Sequence, residues 1–350
     1  MPATVSWGVI GSGGIARRRT IPEGIVPARN ALLKAVFNRN PAVNADVGRQ
    51  FDAKPATSLE DLLGSDVQAI YIATPVEGHL EQALACFRSG KHVLCEKPLA
   101  MNVQQARQMM LAAESAGVFL GTGLMMRFHS QHRAALKMIE QGRIGRPVYA
   151  RAQLSCWYPP IPAAWRQDPE TGGGGALMDM GAHLIDLLEM FFGNISQVSC
   201  IVGSLVHGYR CEDSAVALLA FENGAMGTID TFFCVRDAST QNALELYGSQ
   251  ASILARNTIG QGASGQMLFF PGDVQEKYEA QQQRAATGGE PLSPPPVNPY
   301  LVEIEDFSQA ILDNRRPAVD AACGLRNQRV LAACYESARL GRAVAISSDC

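Results

Sequence analysis

Residues 4–10, Thr-Val-Ser-Trp-Gly-Val-Ile, run straight into Gly11-Ser12-Gly13-Gly14-Ile15-Ala16 and then into a helix-compatible stretch. That order constrains the fold more than any other feature of the chain. An apolar strand that ends in a G-x-G-x-x-A turn and re-emerges as a helix opens a doubly wound parallel α/β domain. The first glycine permits the tight turn and the second lets backbone approach a pyrophosphate. Ala16 is small enough for the helix to lie close to the sheet, with phosphate at the helix N-terminus. A glycine-rich connection that binds nothing is the alternative, and the position at the start of a βαβ unit speaks against it. Residues 11–16 are therefore read as the seat of a dinucleotide.

Further apolar runs at 31–37, 67–73 and 92–95 alternate with helical patterns at 59–63, 80–89 and 103–116, the last stopping at Gly117. Near-continuous apolar strands predict burial on both faces, so residues 1–123 read as a Rossmann-type domain. From 124 to 350 the rhythm changes. Short runs at 147–154, 198–206, 214–221, 225–233 and 243–247 are separated by turns, among them Glu222-Asn223-Gly224, a strong hairpin signal. With helices at 131–141 and 176–192 and two near the C-terminus, they predict an α/β domain around a mainly antiparallel open sheet. Residues 260–299, which hold Gly288-Gly289 and a proline cluster, look the least ordered, and 273–287 reads as either a surface helix or a mobile loop.

Composition narrows the function. The chain of 350 residues fits two domains, and with 47% hydrophobic and 18% charged residues it is not a mainly disordered chain. Thirty basic against 33 acidic side chains leave a charge of −3, no surplus with which to neutralise a phosphate backbone. Nucleic acid is not an expected partner. Neither an export leader nor an apolar run of about 20 residues is visible, which predicts a cytoplasmic protein without a membrane partner. The nine cysteines are an odd number without CxxC or Cys/His spacing, which predicts free thiols and no metal site.

Three further places carry chemistry. The second strand ends in Val36-Phe37-Asn38-Arg39, without the carboxylate that NAD-preferring folds place on the ribose 2′-hydroxyl. Asn38 repels no phosphate, and Arg39 offers a planar fork to a 2′-phosphate or a face to adenine. The expected cofactor is NADP(H), with NAD(H) possible; a merely solvated Arg39 is the alternative. Lys97, in Cys95-Glu96-Lys97-Pro98, should project from the carboxyl end of its strand, where open α/β sheets bind ligands. It is either a solvated loop lysine or an ammonium that polarises a carbonyl and moves a proton. After Gly172-Gly-Gly-Gly175, Asp179 and His183 lie four apart and share a helix face. The pair is either a general acid/base oriented by its carboxylate or a satisfied core histidine.

In order and spacing the G-x-G-x-x-A turn, Glu96-Lys97-Pro98 and Gly-Gly-Gly-x-x-x-Asp179-x-x-x-His183 resemble the glucose-fructose oxidoreductase / inositol dehydrogenase (Gfo/Idh/MocA) family. The likeness runs along the whole chain. Ala73-Thr74-Pro75-x-x-x-His79 looks like the turn after the family's fourth strand, and Gly142-x-x-Gly145-x-Pro147 like its entry to the second domain. Trp165-Arg166 resembles its substrate-side segment, and Tyr300-x-x-Glu303 and Tyr335-Glu-Ser337-Ala its closing helices. The resemblance implies hydride transfer between a nicotinamide and a carbonyl or hydroxyl carbon of a sugar, anhydro-sugar or polyol.

Carried over by position, Lys97, Asp179 and His183 form the catalytic set. His183 would exchange the proton, Lys97 would hold and polarise the same oxygen, and Asp179 would position the sugar hydroxyls and His183. Pro98 would follow a cis peptide. Glu96 would sit beside the nicotinamide ribose, and Thr74, Pro75 and His79 would join the glycine turn, Asn38 and Arg39 around the cofactor. Arg127, Trp165 and Arg166 would meet the substrate. Met125 and Met126 stand where relatives are more polar, which implies a less hydrophilic pocket. Trp157, Tyr158 and Trp165 offer faces for a pyranose, an aglycone or an aromatic diol, or else belong to core or interface. The resemblance leaves open a glycosidase that oxidises transiently, a dihydrodiol-type dehydrogenase and a non-catalytic NADPH sensor. Keeping Lys97, Asp179 and His183 together speaks against the sensor. The edge-rich second sheet predicts a homo-dimer or homo-tetramer.

Overall fold

The computed structural model describes residues 3–272 and 288–347; the segment 273–287, open between helix and loop in sequence, lies outside the described residues. Six parallel strands build the N-terminal sheet: β1 (Val5–Ile10), β2 (Ala31–Phe37), β3 (Lys54–Pro55), β4 (Ala69–Ile72), β5 (His92–Glu96) and β6 (Leu120–Gly123). Their order is β3-β2-β1-β4-β5-β6, so the winding reverses between β1 and β4, where such sheets open a crevice. Every residue of β4 is buried, as a strand covered on both faces requires. The helices are α1 (Pro41–Gln50), α2 (Leu59–Leu63), α3 (His79–Arg88) and α4 (Val103–Ala116). Asn40, Ser58 and Asn102 cap α1, α2 and α4 with side-chain oxygens, and Gly117, at φ +67°, ends α4. After the glycine turn, Ala16–Ile25 winds as a π-helix with Pro22 inside, a residue that removes one backbone donor from the helical ladder.

The second half begins with α5 (Ser130–Glu140), α6 (Pro169–Gly172) and α7 (Ala182–Phe192). Its sheet holds β7 (Pro147–Ser155), β8 (Ile195–Gly203), β9 (Ser214–Phe221), β10 (Met226–Phe232), β11 (Ala243–Gly248), β12 (Ala251–Arg256), β13 (Gln266–Pro271), β14 (Glu290–Pro291) and β15 (Val344–Ala345). The order is β14-β13-β12-β11-β7-β10-β9-β8-β15. All neighbours are antiparallel except β7 and β10. The sheet extends into 260–272 and 288–299 through β13 and β14, so these described parts of the least ordered-looking stretch carry regular structure. Met267 and Phe269 alternate inward on β13, a period-two signal that the surrounding Gly, Ser and Pro obscure in sequence. The helix expected over 176–192 is also modified, because Leu177–Gly181 is a π-helical turn that leads into α7.

One face of this sheet packs on α7 and on α9 (Ala321–Leu340), which follows α8 (Pro299–Leu312). On the other face, among the described residues, Ile201, Leu218 and Met226 are exposed. The last two helices return to the first sheet: Ile304 and Phe307 join its core, and the Trp7 indole donates to Ser308 Oγ at 3.0 Å. Gly324 lets α9 approach Thr122 of β6 more closely than any side chain would permit. The two sheets are thereby fixed about the cleft between them. Among the described residues no helix is long and apolar enough to cross a membrane.

Candidate active site

The cleft, about 980 Å³, is lined at the switch point by Gly11, Gly13, Gly14, Ile15, Asn38, Arg39, Thr74 and Pro75. Gly11 adopts φ +80°, and a Cβ there would sit 2.8 Å from the Thr74 nitrogen, so only glycine lets the turn after β1 pack against the turn after β4. Gly14, at φ +47°, has nothing within 4 Å of where a Cβ would stand. Bare backbone facing a cleft at a helix start fits the diphosphate of a dinucleotide. Ser12 and Ala16 are fully buried and shape the turn from behind rather than line the cleft.

His79 corrects the expectation of a cofactor contact. Its Nε2 lies 3.0 Å from the Thr74 carbonyl and its Nδ1 3.1 Å from that of Pro98, so the neutral ring donates to one of these two carbonyls and packs between the turn after β4 and the cis Lys97–Pro98 peptide. It is buried outside the cleft lining, and burial lowers its proton affinity. Arg127 is likewise corrected as a substrate contact. A buried carboxylate claims it: Nε donates to Asp186 Oδ1 and Oδ2 at 2.8 and 2.9 Å. Met125 and Met126 line the cleft instead.

The strand end after β5, the segment 165–167 and the π-helical turn bring the remaining charges together. Lys97 Nζ donates to Asp179 Oδ1 at 2.7 Å and to the Asp179 carbonyl at 2.8 Å. Arg166 Nε lies 3.0 Å from the same Oδ1, and its guanidinium stacks 4.1 Å from the centre of the Trp165 ring. Burial alone would raise the Asp179 carboxyl, yet the Arg166 and Lys97 charges overcome it and hold the group well below the ordinary carboxylate range.

The expected Asp179–His183 pairing is not formed. Two full cations outcompete a neutral ring for one carboxylate, and His183 is left buried with Nδ1 unpartnered. Burial, then the Lys97 charge, hold His183 well below the usual histidine range. Lys97, Asp179, Arg166, Trp165 and His183 nevertheless line one cleft with the glycine turn. Glu96 also lines it, accepting from the Tyr71 hydroxyl and, at 3.2 Å, from Lys97 N–H; burial pushes its carboxyl up. Sequence reasoning passed over Tyr71, a polar tip inside an apolar strand, Met180, an unspecified position between Asp179 and His183, and also Cys156, Asp237, Thr240 and Asn242 of the cleft wall, which sit in no motif. Tyr300 lines the cleft too, and its Tyr-x-x-Glu setting was the available signal.

Residues 5–124 match the oxidoreductase family with an NAD-binding Rossmann fold, GFO/IDH/MocA, and residues 132–254 match the GFO/IDH/MocA C-terminal domain. Over 346 residues, 98% of each chain, the protein is 32% identical to the 1,5-anhydro-D-fructose reductase of Ensifer adhaerens. The chain belongs to the Gfo/Idh/MocA family. As a member it is an oxidoreductase that uses a nicotinamide dinucleotide. This Gfo/Idh/MocA chain is also 29% identical over 248 residues, 70% of its own length and 72% of the relative's, to the trans-1,2-dihydrobenzene-1,2-diol dehydrogenase of Mus musculus. A levoglucosan dehydrogenase solved in complex with NADH shares its fold, with a TM-score of 0.85 at 23% identity over 99% of this chain and 100% of that one.

Proposed function

We propose that the protein interconverts a carbonyl and a hydroxyl on a sugar, anhydro-sugar or polyol, with NADP(H) as preferred cofactor. The observation that carries this reading is the convergence of Lys97, held by Asp179 at 2.7 Å, and His183 on the cleft that also holds the glycine turn. When bound, the nicotinamide supplies or accepts the hydride.

The chain's part is to hold the reacting oxygen and manage its proton. Of the three N–H donors on Lys97, two are engaged by Asp179. The third is left for substrate, where the ammonium stabilises negative charge developing on oxygen. His183, kept neutral by burial and by the nearby cations, gives or takes a hydrogen bond but does not readily surrender a proton. Lys97 therefore supplies the proton in reduction, and His183 fixes the oxygen. This reverses the division of labour that the family resemblance implies. Leu154, Met126 and Met180 add apolar side chains to the lining of the cleft that holds these charges. That suits a ring with few hydroxyls on one face, as the substrates named for the Ensifer and Mus relatives would present.

The NADP(H) preference is supported by Asn38 and Arg39, neither of them a carboxylate, on the cleft wall. A groove of about 660 Å³ continues beyond them past Asn44, Thr57 and Ser58, with room for a 2′-phosphate. Steady-state rates with NADPH and NADH against 1,5-anhydro-D-fructose, aldoses, polyols and trans-diols test both claims. We expect turnover of free cofactor and a kcat/KM at least about tenfold higher for NADPH, the worth of one good charge-assisted contact. Equal or better use of NADH overturns the preference. Sugar release without net cofactor consumption identifies the transient-oxidation glycosidase, and tight NADPH binding with no turnover on any compound identifies the sensor.

Two further assignments belong to this reading. The sheet face away from α7 and α9 presents Ile201, Met226 and Leu218 at 77, 61 and 59% exposure, and a second copy of the chain would cover them. The eight cysteines among the described residues are all free, in keeping with a reducing cytoplasm.

A further inference from the structure

Glu212, in the loop between β8 and β9, touches neither the cleft nor any cation named so far. Its Oε1 and Oε2 accept from Gly175 N–H at 2.9 and 3.0 Å, and Oε1 also accepts from Leu177 N–H at 3.0 Å. Its own carbonyl accepts from Ala176 N–H at 3.1 Å. Three consecutive amides, of the kind any helix start leaves without a partner, thus end on one distant residue. The segment supplies no cap of its own, since Ala176 stands at the cap position and no side-chain cap bond is made. The Tyr335 hydroxyl then donates to Glu212 Oε1 at 2.8 Å.

The glycines before the turn are explained by the same arrangement. A Cβ on Gly174 would collide with the Tyr335 hydroxyl, and one on Gly175 with the Glu212 carbonyl. The glycine run therefore admits a tyrosine and a glutamate from outside the segment. Burial pushes the Glu212 carboxyl up, while the bonds from Tyr335, Gly175 and Leu177 favour its charged form.

We infer that Glu212, fixed by Tyr335, is a positioning residue for the reaction. It sets where the turn Leu177–Gly181 begins, and both acceptors that hold the Lys97 ammonium, Asp179 Oδ1 and the Asp179 carbonyl, ride on that turn. Asp179 N–H donates at 3.0 Å to the Gly175 carbonyl, which belongs to the same peptide group as the captured Ala176 N–H. The line of support runs from Tyr335 through Glu212 to the amides of 175–177, then Asp179, then Lys97. It rests on the reading of Lys97 and Asp179 as the catalytic pair.

The test compares Glu212→Gln in the wild-type and in the Lys97→Ala background. The measurements are kcat, KM, NADPH affinity by cofactor fluorescence, and amide hydrogen exchange over 174–182. In the wild-type background we expect kcat to fall about tenfold, the scale of a small misplacement of a catalytic group. KM and NADPH affinity should stay within about twofold, with faster exchange confined to 174–182. In the Lys97→Ala background, itself reduced about 10²-fold, Glu212→Gln should cost less than about twofold more. A merely structural role would lower kcat equally in both backgrounds, and that result overturns the inference. So does an unchanged kcat with faster exchange. Should Lys97→Ala lose nothing, the catalytic reading and this inference fall together; a crippled Lys97→Ala beside a fully active Glu212→Gln removes the inference alone. Tyr335→Phe, which keeps the carboxylate and removes one donor, gives a second route if Glu212→Gln does not fold. Its kcat should fall about threefold, with the same dependence on Lys97.

Discussion

A single carboxylate oxygen, Asp179 Oδ1, receives both the Lys97 ammonium at 2.7 Å and the Arg166 guanidinium at 3.0 Å. That sharing fixes the ammonium in place without neutralising both cations. Lys97→Ala should therefore lower kcat by about 10²-fold or more while NADPH still binds, because positioned proton transfer contributes on that scale. His183→Asn, which keeps a hydrogen-bond donor near the same oxygen, should lose only about tenfold. The pH profile of kcat offers a further check, since a histidine held well below its usual range puts no ionisation limb between about pH 6 and 7. A larger loss in His183→Asn than in Lys97→Ala would return the proton to the imidazole. The gathering of Lys97, Asp179, His183, Trp165 and Arg166 was legible in sequence because each lies in a short local motif. Their hydrogen-bond partners were not. Arg127 and His79 look like site residues until Asp186, 59 positions away, and the carbonyls of Thr74 and Pro98 are seen to claim them. Long-range pairing of this kind leaves no trace in residue spacing.

At the level of elements, apolar runs and turn chemistry mark the strands well where one physical signal dominates. The run 214–221 matches β9 residue for residue, and the Asn223-Gly224 turn joins it to β10. β13 escaped because its two inward residues are too few to show a period against a glycine- and proline-rich background. The π-helical turn before α7 escaped for another reason. Its start is set by Glu212 and Tyr335 from elsewhere in the chain, not by its own propensity. A glycine before the π-helical turn and one in the dinucleotide turn should accordingly fail in different ways. Gly174→Ala meets the Tyr335 hydroxyl and should cost about 2–3 kcal/mol of stability through overpacking. Gly14→Ala meets nothing but must hold φ +47°, a strain of about 1–2 kcal/mol, with a loss of cofactor affinity as its Cβ enters the cleft. Thermal denaturation and NADPH titration separate the two: a Gly174→Ala chain as stable as Gly14→Ala would contradict the packing argument.

Over the whole molecule, the two-sheet plan was legible from the change of rhythm near residue 124, but the return of α8 and α9 onto the first sheet was not. Ile304 and Phe307 complete a core that begins at Val5 and Trp7, and an amphipathic helix does not announce which sheet it will cover. The same dense packing governs how stability depends on pH. Burial lowers the proton affinity of His79, His92, His129, His132 and His183, five of the chain's six histidines, with His132 reaching about 3. A folded value below the unfolded value of about 6.5 means that the unfolded chain binds protons which the folded one refuses. This contribution is complete above about pH 6.5 and drains away as pH falls toward the folded values, at about 1.4 kcal/mol per pH unit for His132. Buried carboxyls at Glu96, Asp186, Glu189 and Glu303, raised by desolvation, act in the opposite sense, because their folded forms hold protons that the unfolded chain gives up. A difference measurement removes them. His132→Gln should be less stable than the parent near pH 7, where it loses bonds to the Met126 carbonyl and Thr258 Oγ1, yet fall less steeply between about pH 6 and 4.5. Denaturant unfolding across that range decides the matter: parallel slopes in parent and variant would show that His132 already carries its proton in the folded protein.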